Sequence, residues 1–154
     1  MKPELKYFLF QDKGDLATVA NTLNIINELS QASRWKLQQF TEALNQKSLL
    51  TFLAEEQSNI IGYAIFSVVP PEAHLVNIAV APKYHKQGIG SSFFKFSLEA
   101  LQQNHITECW LEVRQSNLRA RDFYKKANFS DVQIRKDFYE EPREDACLMM
   151  AKLG

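Results

Sequence analysis

One segment constrains the fold of this 154-residue chain more than any other: residues 78–90, which read IAVAPKYHKQGIG. An apolar stretch stops at Pro82, and Gly88 and Gly90 stand where a run of helical periodicity begins. Proline ends a strand because it has no N–H to donate, and glycine lets the backbone approach a ligand closely. The segment therefore predicts a strand, a glycine turn and a helix. The unpaired first amides and the dipole of such a helix favour a phosphate group, whereas an ordinary tight turn into a helix would give the same pattern.

Hydrophobic periodicity predicts seven strands and four helices along the chain. Asp12 and Ser33 are predicted N-caps of the first two helices, and Asn117 of the fourth, while Asn104 and Asn128 suit left-handed positions at helix ends. The predicted strands are residues 5–10, 49–54, 60–69, 74–80, 108–113, 131–136 and 146–152. The pattern predicts an α+β class, with one mixed, mostly antiparallel sheet of about seven strands flanked by about four helices.

Composition limits the classes of partner and the number of domains. The 18 basic and 18 acidic residues balance, so no whole-molecule field favours nucleic acid or membrane. The longest apolar stretch, residues 60–69, is shorter than the roughly 20 residues of a membrane-spanning helix. With no linker or repeat in the sequence, we expect residues 1–154 to form a single soluble domain without direct nucleic-acid contact.

The cysteines and histidines suggest neither a disulfide framework nor a metal site. Cys109 and Cys147 are far apart in sequence, and the three histidines are too scattered to supply ligands. The sequence thus predicts no metal and a reducing, cytoplasmic location. An acetyl-cysteine route through either thiol is a weaker alternative, because both cysteines fall in predicted strands.

Residues His85–Gly90 resemble the coenzyme A loop of the GNAT superfamily of N-acetyltransferases, Gln/Arg-x-x-Gly-x-Gly/Ala after an apolar strand, with His85 in the Gln/Arg position. Further segments are similar in order and spacing to the RimI-like ribosomal-protein-alanine N-acetyltransferases of that superfamily: Asn77–Val80, Trp110–Arg114, Ser116-Asn117, Phe123-Tyr124 and Arg143–Ala146. The resemblance implies acetyl-coenzyme A as cosubstrate. It implies cofactor contacts from Ile78, Ala79, Val80, Lys86, Gln87, Gly88, Ile89, Gly90, Ser91 and Asn117.

Two residues are assigned catalytic roles by the same resemblance. Glu112 interrupts an apolar strand, where a carboxylate is solvent-facing, paired or functional, and an edge-strand glutamate in water is the structural alternative. Tyr124 belongs to a helical stripe and would otherwise be read as a packed aromatic. The resemblance implies that Glu112 is the general base and Tyr124 the general acid.

The acceptor is less constrained by the sequence. The resemblance implies direct attack, in a ternary complex, by the N-terminal amine of a protein, above all the N-terminal alanine of a small-subunit ribosomal protein. Phe138–Glu141 are predicted to lie in a loop between the last two strands, where Glu140 and Glu141 would attract a basic peptide. The alternatives are lysine side chains, small amines, aminoacyl-tRNA, or a non-catalytic acyl-coenzyme A-binding protein. We expect a monomer or weak dimer.

Overall fold

The computed structural model describes residues 4–11 and 13–154. Within these ranges the chain forms seven strands and four α-helices. They are β1 (Leu5–Leu9), α1 (Leu16–Ser30), α2 (Leu37–Asn45), β2 (Leu49–Glu56), β3 (Asn59–Val69), β4 (Glu72–Val80), α3 (Ile89–Gln103), β5 (Glu108–Arg114), α4 (Leu118–Lys126), β6 (Ser130–Glu140) and β7 (Arg143–Lys152). None of these helices is long and apolar enough to cross a membrane.

The strands form one sheet in the order β1-β2-β3-β4-β5-β7-β6. The pairs β1–β2, β2–β3, β5–β7 and β6–β7 are antiparallel, and β4 pairs with β5 in parallel. A parallel pair requires a crossover connection, and α3 supplies it. Gln57 and Ser58 have positive φ and make the two-residue turn between β2 and β3. The predicted fold class is confirmed.

The chain divides into two compact units. The first contains the residues up to Val68 together with Leu75–Ser97, and the second contains Val69–His74 and Leu98–Gly154. In the first unit, α1 and α2 place apolar side chains against β2 and β3: Val19, Ala20, Leu23, Ile26, Phe40, Ala43, Leu44, Leu53, Tyr63 and Ile65 are all buried in one cluster. Each large apolar side chain contributes about 1.5–3 kcal/mol when fully buried. The prediction of a single domain stays a prediction.

In the second unit, β5 alternates strictly between two environments. Cys109, Leu111 and Val113 are buried, whereas Trp110, Glu112 and Arg114 on the opposite face are half-buried. The period of two follows from the pleat of a strand. Because β5 lies between β4 and β7, Glu112 is not on an edge strand, and that alternative for it is wrong.

Several local predictions need correction. Ser33 does not cap α2, which begins at Leu37 after Lys36, whose N–H donates to the side-chain oxygen of Gln39. After α3 the left-handed residue is His105 rather than Asn104, whose side-chain amide donates to the carbonyl of Ala100.

The last two strands are longer than expected. Phe138, Tyr139 and Glu140 belong to β6 and not to a loop, and only 141–142 separate β6 from β7. The end of β6 was not predicted because Asp137 has positive φ and the pairing of β6 with β7 shifts register between Arg135 and Tyr139. Asn128 has positive φ, as predicted, and the predicted cap at Asp12 lies outside the described residues.

Candidate functional site

The predicted phosphate-binding loop lies in the first unit, between β4 and α3. Pro82–Tyr84 form one turn of 3-10 helix, in which the N–H groups of Tyr84 and His85 donate to the carbonyls of Ala81 and Pro82 at 2.9 and 3.0 Å. The chain then turns through residues 85–88 and enters α3 at Ile89, which is buried and anchors the helix start. The strand, turn and helix therefore follow one another as the sequence predicted.

The backbone of this loop is open to solvent. Lys86 and Gly88 have φ of 61° and 76°, a region in which side chains are strained, and a Cβ built on Gly88 meets nothing within 4 Å. Lys86, Gln87, Gly88 and Ser91 are exposed, and Gly90 is half-buried. The first amides of a helix have no intrahelical acceptor, so this helix start can receive an anionic ligand.

His85 holds the loop against the end of β4. Its Nε2 lies 2.6 Å from the carbonyl oxygen of Val80, to which the ring N–H donates. Gln87 adds a second internal bond, from its side-chain amide to the carbonyl of Lys83 at 3.0 Å. Where the GNAT pattern has Gln or Arg, this chain thus uses a histidine to fix the loop, and the main-chain amides remain the groups suited to a pyrophosphate.

The strand before the loop is closely packed. Ala79 and Val80 are buried and Ile78 is half-buried. β3 comes so near that a Cβ on Gly62 would lie 3.1 Å from the carbonyl oxygen of Ala79. The N–H of Ala81 also donates to the carbonyl of Ile61 at 2.8 Å. β4 is therefore held rigidly up to the residue before the loop.

In the second unit, Glu112 is held at both carboxylate oxygens. Oε1 lies 2.6 Å from Nε2 of His74, and Oε2 lies 3.3 Å from Nη1 of Arg135. The Glu112 side chain is 11% exposed, compared with 39% for His74 and 46% for Arg135. The carboxylate is the most enclosed member of this group, which we name the Glu112 cluster: His74, Glu112 and Arg135.

Tyr124 is buried on α4 in the same unit. Its ring packs edge-on against Phe123 and tilted against Phe129, with centroids 5.4 and 6.0 Å apart. Burial raises the pKa of Tyr124 above the ordinary phenol value, and Tyr139 and Cys109 add to the rise. The phenol therefore keeps its proton at neutral pH, as a general acid must.

Asn117 has a structural role that can coexist with a binding role. Its Oδ1 accepts from the N–H of Ala120 at 3.1 Å and so caps α4, which confirms the predicted cap. Asn117 is exposed, and its side-chain nitrogen takes no part in that hydrogen bond. The assignment of Asn117 to cofactor binding stays a prediction.

Tyr139 connects the two predicted catalytic residues electrostatically. Burial raises its pKa to about 12, and the carboxylate of Glu112 adds to the rise. The guanidinium of Arg114 lies 4.2 Å from the centre of the Tyr139 ring and donates to the carbonyls of Glu141 and Pro142 at 3.1 and 2.8 Å. One arginine thus fixes both the tyrosine and the turn between β6 and β7.

The sequence points to Glu112 and Tyr124 but not to His74 and Arg135, the two partners of Glu112. His74 was considered only as a metal ligand, and Arg135 was not singled out. Both contact Glu112 across strands, and strand pairing is not visible in a single sequence. Cys109 and Cys147 are buried thiols, which matches their predicted burial and disfavours a covalent route through either of them.

Comparison with known proteins gives a consistent set of relatives. Residues 18–129 match the acetyltransferase (GNAT) family. The [ribosomal protein bS18]-alanine N-acetyltransferase of Escherichia coli K12 is 32% identical over 126 residues, which cover 80% of this chain and 84% of that protein. The enzyme of the same description from Haemophilus influenzae is 41% identical over 101 residues, which cover 64% of this chain and 68% of that protein.

Solved structures agree with this result. The crystal structure of the ribosomal-protein-S18-alanine N-acetyltransferase from Escherichia coli superposes with a TM-score of 0.84 at 30% identity, covering 98% of this chain and 95% of that one. Arabidopsis thaliana NAA60 in complex with acetyl-CoA gives a TM-score of 0.81 at 16% identity, covering 97% and 98% of the two chains. The second likeness shows the fold alone.

Proposed function

The chain belongs to the GNAT family of acetyltransferases. We propose that it transfers an acetyl group from acetyl-coenzyme A to the N-terminal amine of a protein, and that this amine is the one on the N-terminal alanine of ribosomal protein bS18. The relatives of that description at 32–41% identity support this acceptor. A reducing cytoplasm is the proposed location of such an enzyme, in which Cys109 and Cys147 are both buried.

The residues of the first unit fit a coenzyme A pyrophosphate. The positive φ of Lys86 and Gly88 turns the chain into α3, and the open space beside Gly88 leaves room for a ligand near the backbone. In this proposal the amides of residues 86–91 bind the phosphates, and Ile78, Ala79, Val80 and Asn117 make the remaining contacts. Acetyl-coenzyme A, when bound, supplies an activated thioester.

Glu112 accepts the proton of the attacking amine in this proposal. An N-terminal amine has a pKa near 7.7–8.0 and is already partly neutral at physiological pH, so a carboxylate is a strong enough base, directly or through one water. A lysine side-chain amine has a pKa near 10.4 and would therefore need a much stronger base to lose its proton at neutral pH. Tyr124 then donates a proton to the leaving sulfur, and burial keeps that proton in place beforehand.

The observation that carries the proposal is the presence, in one unit, of an enclosed carboxylate and a buried, protonated phenol, both linked to Tyr139. A non-catalytic acyl-coenzyme A-binding protein has no need for either group. Glu140 and Glu141 are exposed at the β6–β7 turn, and their charge suits a basic peptide acceptor.

Intact-mass analysis tests the proposal. A synthetic peptide copying the N-terminus of bS18 is incubated with the protein and acetyl-coenzyme A, beside the same peptide with its α-amine blocked. We expect one acetyl group on the free peptide, none on the blocked one, and a kcat roughly 10²-fold lower or more for Glu112→Gln.

The other functions predict different products. Acetylation of the blocked peptide would assign the activity to lysine side chains. Failure of both peptides, with reaction of polyamines or aminoacyl-tRNA, would assign it to those acceptors. Binding of acetyl-coenzyme A in calorimetry without turnover of any acceptor would identify a binding protein and contradict the proposal.

A further inference from the structure

Strand pairing, and not sequence proximity, brings His74 to Glu112. β4 and β5 run parallel, with His74 opposite Trp110, so Glu112 lies two residues further along β5 on the same face. Nε2 of His74 is 2.6 Å from Oε1 of Glu112, a short distance for a hydrogen bond to a carboxylate. Arg135 reaches the other oxygen from β6 at 3.3 Å.

The two partners of Glu112 differ chemically. Arginine keeps its positive charge at every accessible pH, while histidine changes its charge in the range where enzymes work. A neutral imidazole with its proton on Nε2 holds Oε1 by a hydrogen bond alone. An imidazolium makes the same bond and adds a positive charge, which stabilises the carboxylate and weakens it as a base.

We propose that His74 is a positioning residue of the acetyl transfer: it fixes the carboxylate of Glu112, and its protonation state sets how readily Glu112 accepts the amine proton. The inference rests on the proposed role of Glu112 as general base. The amine proton moves to Glu112 and from there to water, while His74 keeps its Nε2 proton throughout. Only the neutral form of His74 leaves Glu112 fully basic.

Other charged groups around the cluster do not change charge over the same range. Arg135 and Arg114 stay positive. Hydrogen bonds from Ser116 and Arg114 hold the pKa of Glu144 below its usual value, so Glu144 stays negative. Tyr139, with its pKa raised to about 12, stays neutral. The substitutions at His74 therefore test whether this histidine carries a pH dependence of the reaction.

Two substitutions of His74 distinguish its two properties: the hydrogen bond that holds the Glu112 carboxylate, and the ability of the imidazole to take up a proton. His74→Gln places an amide N–H near the position of Nε2 and cannot be protonated, and His74→Ala removes both properties. His105→Asn is the control, because His105 is exposed and asparagine tolerates its positive φ. The measurement is kcat/KM for the acceptor peptide between pH 5.5 and 8.5, expressed as the ratio of variant to wild type, which cancels the titration of the acceptor amine.

We expect the His74→Gln ratio to lie within about twofold of one at pH 8.5 and to rise severalfold as the pH falls to 5.5. The His105→Asn ratio stays flat. His74→Ala lowers kcat about tenfold with little change in the KM for acetyl-coenzyme A, since the carboxylate loses one of its two supports. A flat His74→Gln ratio, or a His74→Ala enzyme equal to wild type, would overturn the proposal.

The proposed function can fail separately. If Glu112→Gln keeps full activity, Glu112 is not the general base, and the proposed role of His74 is contradicted as well. If Glu112→Gln is inactive while the His74→Gln ratio is flat, only the inference about His74 fails. Nitrogen NMR of the imidazole needs no turnover: we expect the Nε2–H tautomer at pH 8 in the wild type, and an Nδ1–H tautomer would contradict the arrangement.

Discussion

Tyr124 shows how burial changes the proton affinity of a single side chain. A phenol in water is protonated at neutral pH but begins to ionise near pH 10. In this protein burial is the largest cause that raises the pKa of Tyr124, and Tyr139 and Cys109 raise it further. The side chain therefore keeps its proton at neutral pH.

Removing the hydroxyl of Tyr124 should lower kcat. We predict that Tyr124→Phe lowers kcat by roughly 10²-fold or more, because proton donation to the leaving sulfur is lost. The aromatic contacts with Phe123 and Phe129 survive the substitution. Steady-state kinetics measures the effect, and Phe123→Leu in the same packing is the control, with a much smaller loss of kcat. Equal kcat for Tyr124→Phe and wild type would exclude Tyr124 as the acid.

At the scale of elements, a buried polar network attaches the α1–α2 connection to the sheet of the first unit. Asn27 on α1 donates to the carbonyls of Ser33 and Trp35, both at 3.2 Å, and accepts from the hydroxyl of Tyr63 at 3.2 Å. Asn77 on β4 donates to Ser33 and accepts from Tyr63. Ser33, predicted as a helix cap, belongs instead to this network.

The network predicts a stability effect of a residue far from the chemistry. Asn27→Ala leaves two partly buried carbonyls without their donor, so we expect the free energy of unfolding to fall by about 1 to 3 kcal/mol. Hydrogen exchange of residues 31–36 should accelerate. The control is Asn21→Ala on the exposed face of the same helix, which should change stability by less than about 0.5 kcal/mol. Similar values for both variants would argue against the network.

At the scale of the whole molecule, two buried tyrosines are expected to make stability depend on pH in the alkaline range. Burial raises the pKa of Tyr63 and Tyr124 in the folded chain, whereas both ionise near pH 10 when unfolded. Below pH 10 both states carry the protons and the stability is complete. Above it the unfolded state releases protons that the folded state retains, so stability declines by about 1.4 kcal/mol per pH unit for each such tyrosine.

Urea denaturation between pH 8 and pH 11 measures this decline. We predict that Tyr63→Phe, although less stable at pH 8 through loss of its hydrogen bonds to Asn27 and Asn77, shows a shallower decline above pH 10 than wild type. Lysines titrate in the same range but equally in both proteins, so the difference between the two slopes isolates the tyrosine. Identical slopes would show that Tyr63 does not contribute.

The sequence by itself determined the elements and the local chemistry. The apolar stretch before Pro82, the glycine turn and the periodicity after Ile89 predict strand, loop and helix because these depend on neighbours along the chain. Glu112 could be singled out because a carboxylate in an otherwise apolar strand costs free energy unless it is exposed, paired or functional. The extent of β6 could not be predicted, because its pairing with β7 shifts register between Arg135 and Tyr139, where Asp137 has positive φ.

Only the tertiary structure decided which partners these residues have. His74 and Arg135 meet Glu112 because β4, β5, β7 and β6 are neighbours in the sheet, a consequence of long-range pairing. Ser33 became a partner of Asn27 and Asn77 for the same reason. Hydrogen bonds between strands depend on register and burial together, and neither is written in any one segment, so the sequence could single out Glu112 but not its contacts with His74 and Arg135.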